Sequence, residues 1–475
     1  MKKLFVLLFS CIVPLYLNAQ GNNEDFLSFR KKMLDGYQGF RKNILDDYAK
    51  FLNGIWEDYE VFTGRKQHPD PKPDVQPVKK AEEPIPEPQK LEPEEVTPVP
   101  PAVEEDSPMP KTVVSNPQNL VTFDWCGLSM KLPDACIDGN LNGVHKEDLV
   151  SFLEQIQKSN LEKDVIPQIE LLANSINMND WCLCLLIQSY TKKIKANAND
   201  NTRNMICWYI LVQFGYDVRL AFNGNHLFYL IPFQQQIYAC NYITIKNTPY
   251  YIYGEGKTDN NEGFMTPKLP DGDLGSHMNA ILLSPLKIPY RGKKFIHTFA
   301  GRTLSGEVNE NLIRIMSHFP QLPIPAYAMS KGDMKARQQV LTQMKQFISG
   351  MSEQEAANFM LQFIQSYDYA TDDEQFGYEK PFFLEETLYY PKCDCEDRAI
   401  FYHFLVANLL KRDIHLVHYP NHECNAVNFS KKMNADHYIY QGKQYVICDP
   451  TYIGATIGMC MPDFKKIKPE VELVK

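Results

Sequence analysis

The sequence has no glycine-rich phosphate loop and no basic stripe. Its 49 Lys and Arg are outnumbered by 58 Asp and Glu, giving a formal charge of −9. Neither a P-loop phosphate site nor an electrostatic footprint for nucleic acid is therefore expected. The apolar stretch from Leu4 to Leu17 is short for a membrane span. Residues 67–112 contain no aromatic side chain and are dominated by Pro, Glu and Lys. Such a stretch cannot bury a core and reads as an extended linker, placed over 65–115.

Residues 1–19 read as a secretory signal peptide. Lys2 and Lys3 supply the charged start, Leu4 to Leu17 the apolar core, and Leu17-Asn18-Ala19 a small-residue cleavage site. The expectation is an exported protein, in the periplasm, the cell envelope or the medium, where disulfides can form. Losing Cys11 leaves 11 of the 12 cysteines, an odd number. At least one thiol is then free or pairs with another molecule.

Residues 22–64 carry an apolar stripe at 3-4-4 spacing. Phe29, Phe40, Phe51 and Phe62 form one column, and Phe26, Tyr37, Tyr48 and Tyr59 another. A period of 11 residues over three turns is close to that of a straight helix, so one long amphipathic helix is expected. Gly36, Gly39 and Gly54 weaken it in isolation, so it needs a partner to form. Three covers are open: the protein's own body, self-association, or docking on a membrane surface.

The chemistry gathers in residues 393–452. After Cys395, the positions Ala399, Phe401, Tyr402, Leu405 and Leu409 have helical spacing, with Asp394 as N-cap and Asp397 in the first turn. Cys395 thus sits at a helix N-terminus, where free N–H groups favour a thiolate. His422 and His437 each open a strand-like run, and Asp449-Pro450-Thr451 closes the region. A thiol needs a base, and the base needs an acid to hold its ring. His422 lies 27 residues before Asp449 (449 − 422), and His437 lies 12 before it (449 − 437). A structural role for Cys395, buried or in a disulfide, is the plainer alternative. Cys393 is open to a disulfide with Cys424 or to service as a resolving thiol. Cys393, Cys395, His415, His418, His422 and Cys424 are also soft-metal ligand types, but their spacing fits no common zinc site, so no metal and no cofactor is expected.

An internal repeat chooses between the histidines. Subtracting 196 carries Asp413-Ile414-His415-Leu416-Val417 onto Asp217-Val218-Arg219-Leu220-Ala221, and Asn421-His422 onto Asn225-His226. The same shift carries Phe429 onto Phe233 and Tyr438-Ile439 onto Tyr242-Ile243. Upstream, Ile364-Gln365-Ser366-Tyr367 echoes Ile187-Gln188-Ser189-Tyr190 at a smaller offset, as an insertion in the second copy requires. Order and shared offset indicate duplication, with lobes at 116–290 and 291–475. The counterpart of Cys395 is Asn199, and that of Asp449 falls near Gly254, so the first lobe is an inactive copy. It keeps His226 opposite His422 but has Asn241 opposite His437, which favours His422 as base.

Between the copies, residues 285–330 alternate as strands do. Residues 332–366 read as helical, with a start at Ser352-Glu353-Gln354-Glu355. Residues 367–390 lack clear periodicity and lead into Cys395, either as a wall of its cleft or as a surface loop.

The ordered Cys395, histidine and Asp449-Pro450-Thr451 resemble the transglutaminase-like superfamily. The resemblance spans roughly residues 355–460 and rests on Asp394-Cys395-Glu396-Asp397-Arg398-Ala399 at its start. The aromatic residue expected after the histidine is absent, since Glu423 and Cys424 follow His422. The resemblance implies an α+β chain with two papain-like lobes, the second catalytic. It implies a Cys395–His422–Asp449 triad acting on a peptide or carboxamide carbonyl through a thioester. Hydrolysis, as by a cysteine peptidase or amidase, is favoured over acyl transfer to an amine, with a peptide or protein as substrate. The rival reading is a non-catalytic envelope scaffold or binding protein built from the same two lobes.

Overall fold

The structure is a computed structural model that describes residues 59–62, 66–67, 119–258, 263–267 and 275–474. The expected signal peptide, the amphipathic helix up to Asp58 and nearly all of the linker lie outside these residues. The described chain is mixed α+β. Its first part holds the hairpin β3 (Leu120–Trp125) and β4 (Leu128–Pro133) and the helices α1 (Lys146–Lys158), α2 (Ile166–Ile176), α3 (Asp180–Ile194) and α4 (Asp200–Gln213). Strands β5 (Arg219–Asn223), β6 (His226–Pro232), β7 (Asn241–Ile245), β8 (Thr248–Tyr253) and β9 (Phe264–Pro267) follow.

The end of the expected long helix is corrected. Tyr59–Phe62 is a strand, β1, antiparallel to β9, and Lys66–Gln67, expected in the linker, is strand β2 on β7. Tyr-Glu-Val-Phe alternates as a strand does, and the open edges of β9 and β7 offer ladder partners. Such tertiary pairing overrides local periodicity. The seven strands run in the order β1-β9-β5-β6-β8-β7-β2.

The second part repeats the plan. A hairpin, β10 (Gly292–Phe299) and β11 (Arg302–Asn309), precedes helices α5 (Glu310–Met316), α6 (Ile324–Met329), α7 (Met334–Phe347) and α8 (Glu353–Gln365). The strand alternation expected over 285–330 therefore ends at Asn309. There the Asn309 side chain accepts from the Asn311 N–H at 3.1 Å and starts α5. Helix α8 begins at Ser352 in a capping box with Glu355. Residues 367–390, which show no period in sequence, hold the short strand β12 (Asp368–Tyr369) and helices α9 (Asp372–Phe376) and α10 (Leu384–Tyr389). Strand β13 (Lys392–Cys393) lies parallel to β12 and leads into α11 (Cys395–Leu405).

The last sheet contains β14 (Asp413–Tyr419), β15 (His422–Asn428), β16 (His437–Tyr440), β17 (Lys443–Cys448) and β18 (Glu470–Glu472). Its order is β16-β17-β15-β14-β18. The run β14-β15-β17-β16 repeats β5-β6-β8-β7 of the first sheet. Matching strands keep the offset, with β6 and β15 opening at His226 and His422 (422 − 226 = 196). Strands β7 and β16 open at Asn241 and His437 (437 − 241 = 196).

Each repeat is built on one helix buried on all sides. Residues 204–211 of α4 and 395–402 of α11 are buried without a break, as a helix packed all round requires. Alternation splits the second sheet between two cores. Val427, Val446 and Cys448 join Phe363, Phe401 and Tyr402 under the helices. Cys424, Ala426 and Ile447 face Tyr452 and Phe464 of the C-terminal segment.

Candidate active site

Cys395 is the first residue of α11 and is 8% exposed. The helix start is fixed by Asp397, whose carboxylate accepts from the Asp394 N–H at 3.2 Å and from the Phe382 N–H at 2.8 Å. The Cys395 thiol lies 3.4 Å from Glu396 Oε2.

His422 opens β15 because the turn between β14 and β15 is tight. Tyr419 pairs with His422, and Asn421 takes a left-handed conformation at φ +62°, which Asn tolerates better than most residues. Asn425, three residues further along β15, donates from Nδ2 to the Ala399 carbonyl at 3.1 Å. This bond ties the histidine strand to the cysteine helix. The His422 ring lies parallel to Phe464, with centroids 5.2 Å apart and planes at 8°, and Phe464 also stacks on Tyr419 at 4.9 Å.

Asp449 follows β17 directly. Its Oδ2 is 2.8 Å from His422 Nε2, and both side chains are buried. Its Oδ1 accepts from the N–H groups of Thr451 at 2.9 Å and Tyr452 at 3.1 Å. Gln365, at the end of α8, holds the loop behind it. Gln365 Nε2 donates to the carbonyls of Asp449, Tyr452 and Ala455 at 3.2, 3.0 and 3.1 Å, and its Oε1 accepts from the Gly454 N–H at 3.1 Å.

Burial alone lowers the His422 pKa, but Asp449 and the neighbouring Cys395 outweigh it and raise the pKa to about 10. His422 Nδ1, the nitrogen not used by Asp449, is buried without a hydrogen bond of ordinary geometry. The site is thus set for an imidazolium held between a carboxylate and a thiol. The other nearby sulfurs are disfavoured as nucleophiles. Burial pushes Cys393 and Cys460 up to about 11, Cys448 to about 12, and Cys424 well above its ordinary value.

His437 lies elsewhere. It is exposed on edge strand β16, and its Nδ1 meets the Ala435 carbonyl at 2.7 Å. Of the two candidate bases, His422 is the one bonded to Asp449. Cys393 and Cys424 are separate buried thiols, with no disulfide between them. The soft-metal set is dispersed as well: His415 bonds the Tyr438 hydroxyl at 2.9 Å, and His418 pairs with Glu423 at 3.1 Å. His422, Cys424 and Asp449 bring ligand atoms within 4.8 Å of one another. That set falls short of the four-ligand closed zinc site, and its His422 Nε2 already bonds Asp449.

The equivalent place in the first repeat is built differently. Asn199 caps α4, accepting from Thr202 N–H at 2.9 Å and from Thr202 Oγ1 at 2.7 Å, and its Nδ2 donates to the Leu141 carbonyl at 2.8 Å. His226 is exposed. Gly254, where the acid's counterpart was expected, has φ +127°, and a Cβ there would lie 2.8 Å from Asn204 Nδ2.

Two residues of the site carry no catalytic signal in sequence. Gln365 appears only within the repeated Ile-Gln-Ser-Tyr, and Phe464 as one aromatic among many. No family model, curated protein or solved structure matches this chain.

Proposed function

We propose that the protein is an exported, cysteine-dependent enzyme of transglutaminase-like type with papain-like lobes, hydrolysing peptide or carboxamide bonds. The observation that carries this reading is the buried His422–Asp449 bond at 2.8 Å beside a thiol at a helix start. In the proposed reaction the Cys395 thiolate attacks the carbonyl carbon, and the oxygen takes up the negative charge. The Cys395 backbone N–H, which has no acceptor within its own helix, is the donor proposed for that charge. His422 gives its proton to the departing amine, leaving a thioester on Cys395. Water then enters with His422 as base, releasing the acid and restoring the thiol pair. Asp449 keeps the ring oriented and charged.

The test is turnover of a peptide and glutamine-amide library by the mature protein. Hydrolysis that disappears in Cys395→Ala supports the enzyme. Retained binding of a peptide or protein with no turnover by either form would sink it in favour of the scaffold.

A further inference from the structure

Asn425 stands where the three chain segments that carry Cys395, His422 and Asp449 meet. It is fully buried on β15, three residues after His422. Across the ladder it pairs with Cys448, the residue before Asp449. Its Nδ2 donates at 3.1 Å to the carbonyl of Ala399, one helical turn after Cys395. Its Oδ1 is buried without a hydrogen bond of ordinary geometry. Val427, along the same face of the strand, and Leu416, opposite in β14, are buried and apolar. A half-satisfied amide among such neighbours costs stability. The Ala399 carbonyl does not need it either, because it lies inside α11 and has its helical partner four residues on. Folding alone would be served as well by leucine.

The first repeat ties its helix to its strand in another way. Asn204 of α4 donates from Nδ2 to the Leu227 carbonyl at 2.7 Å and to the Glu255 carbonyl at 2.8 Å, and its Oδ1 accepts from the Glu255 N–H at 2.8 Å. Asn201 of the same helix accepts from the Leu227 N–H at 2.8 Å. Helix side chains thus clamp the start of β6 and the segment after β8. The counterparts of Asn204 and Asn201 are Ile400 and Asp397 (204 + 196 and 201 + 196). Ile400 cannot hydrogen-bond, so the Asn204 clamp has no equivalent in the second repeat. Asp397 bonds the Asp394 and Phe382 N–H groups. In the second repeat Asn425 supplies a tie from three residues inside the strand, and Gln365 holds the acid loop. The start of the strand is left to His422.

We propose that Asn425 is a positioning residue of the proposed reaction: it sets how far α11 stands from β15 and so holds the Cys395 sulfur against the His422 ring. This role rests on the enzymatic reading and adds a residue to it. The neighbouring thiol is one of the groups that raise the His422 pKa, so separating helix from strand weakens both partners at once.

The test compares Asn425→Leu and Asn425→Ala with the wild type by urea unfolding, by turnover, and by the pH dependence of Cys395 alkylation with iodoacetamide. Leucine keeps the branch at Cγ and removes the unpaired acceptor, so its urea midpoint should equal or exceed that of the wild type. Its kcat should nonetheless fall about ten- to hundredfold, with KM within about twofold, as a misplaced nucleophile requires. Alkylation, which in the wild type should continue below about pH 7, should move toward about pH 8. Asn425→Ala should show the same shift in labelling together with a lower midpoint, because it empties part of the core. A leucine variant with wild-type kcat and an unchanged labelling profile overturns the positioning role and leaves the enzymatic reading standing. So does one whose kcat and midpoint fall together while labelling below about pH 7 persists. Wild-type labelling confined to above about pH 8 sinks the enzymatic reading, and the positioning role with it.

Discussion

Gln365 and Asp449 are joined by a hydrogen bond of 3.2 Å from the Gln365 amide to the Asp449 carbonyl, across 84 residues of sequence (449 − 365). The same amide holds Tyr452, Gly454 and Ala455, so one side chain fixes the whole loop that presents the acid. Gln365→Leu keeps the volume but leaves three buried carbonyls and an N–H without that partner. Each such group costs about 1–3 kcal/mol, and partial relaxation should leave a net loss of roughly 3 kcal/mol. Urea unfolding measures it. Turnover should fall as well, because the Asp449 carboxylate would no longer be fixed behind His422. A variant as stable as the wild type would show that the loop holds itself.

The two histidines should separate in a labelling experiment. Alkylation of Cys395 by iodoacetamide should continue below about pH 7, where an ordinary thiol of pKa about 8.5 is slow. His437→Ala should leave that profile unchanged, because His437 is exposed on an edge strand and bonded to Ala435. His422→Ala should move labelling to about pH 8 and above. The assignment of the base fails if His437→Ala produces that shift instead.

The pH dependence of stability tests the same pair by a different route. His422 has a folded pKa raised from 6.5 to about 10. Its contribution is therefore complete below pH 6.5 and is lost as pH rises toward 10. The thiolate that the proposed mechanism requires at Cys395 would hide this in the wild type, because the folded pair would then hold one proton, as the unfolded chain does between the two ordinary pKa values. Cys395→Ala removes the cancellation while Asp449 still supports the imidazolium. Its stability should fall by about 1–2 kcal/mol between pH 6.5 and 8.5, where the wild type stays nearly flat. Adding Asp449→Asn should flatten the variant again. Parallel curves for wild type and Cys395→Ala would mean that no ion pair exists.

The parts of the site that rest on local pattern were readable from sequence. Cys395 opens a helix because an acidic cap precedes an apolar period, and His422 opens a strand because Asn421 permits a tight turn. The preference for His422 over His437 came from the repeat, since the local patterns at the two histidines were equally strand-like. What escaped is non-local. Gln365 is one polar residue at a helix end until the loop after Asp449 folds onto it. Phe464 lies in a segment without a regular period and gains its role only by covering His422. Tyr59–Phe62 shows the same limit, because its 11-residue period points to a helix while the open edge of β9 makes it a strand. Likewise Asn309 turns a strand-like alternation into a helix by capping α5.

The repeat permits a sharper test of how much geometry the chemistry needs. Asn199→Cys places a thiol at the first repeat's counterpart of Cys395, on the start of an equally buried helix. The substitution removes an N-cap bonded to Thr202 and a donor to Leu141, and should cost about 1 kcal/mol. No buried base bonded to an acid awaits the new thiol. His226 is exposed, and the residue 196 before Asp449 is Tyr253 (449 − 196), a half-buried residue whose phenol is raised well above its ordinary pKa by desolvation. In a Cys395→Ala background the Asn199→Cys protein should therefore show no turnover. Iodoacetamide should label the introduced thiol only above about pH 8. Turnover, or labelling at residue 199 that persists into acid, would mean that a helix N-terminus alone activates the thiol and that the His422–Asp449 pair is dispensable. Its absence would place the activation in that buried pair, because the two repeats share a buried helix and the strand order but not the bonded base and acid.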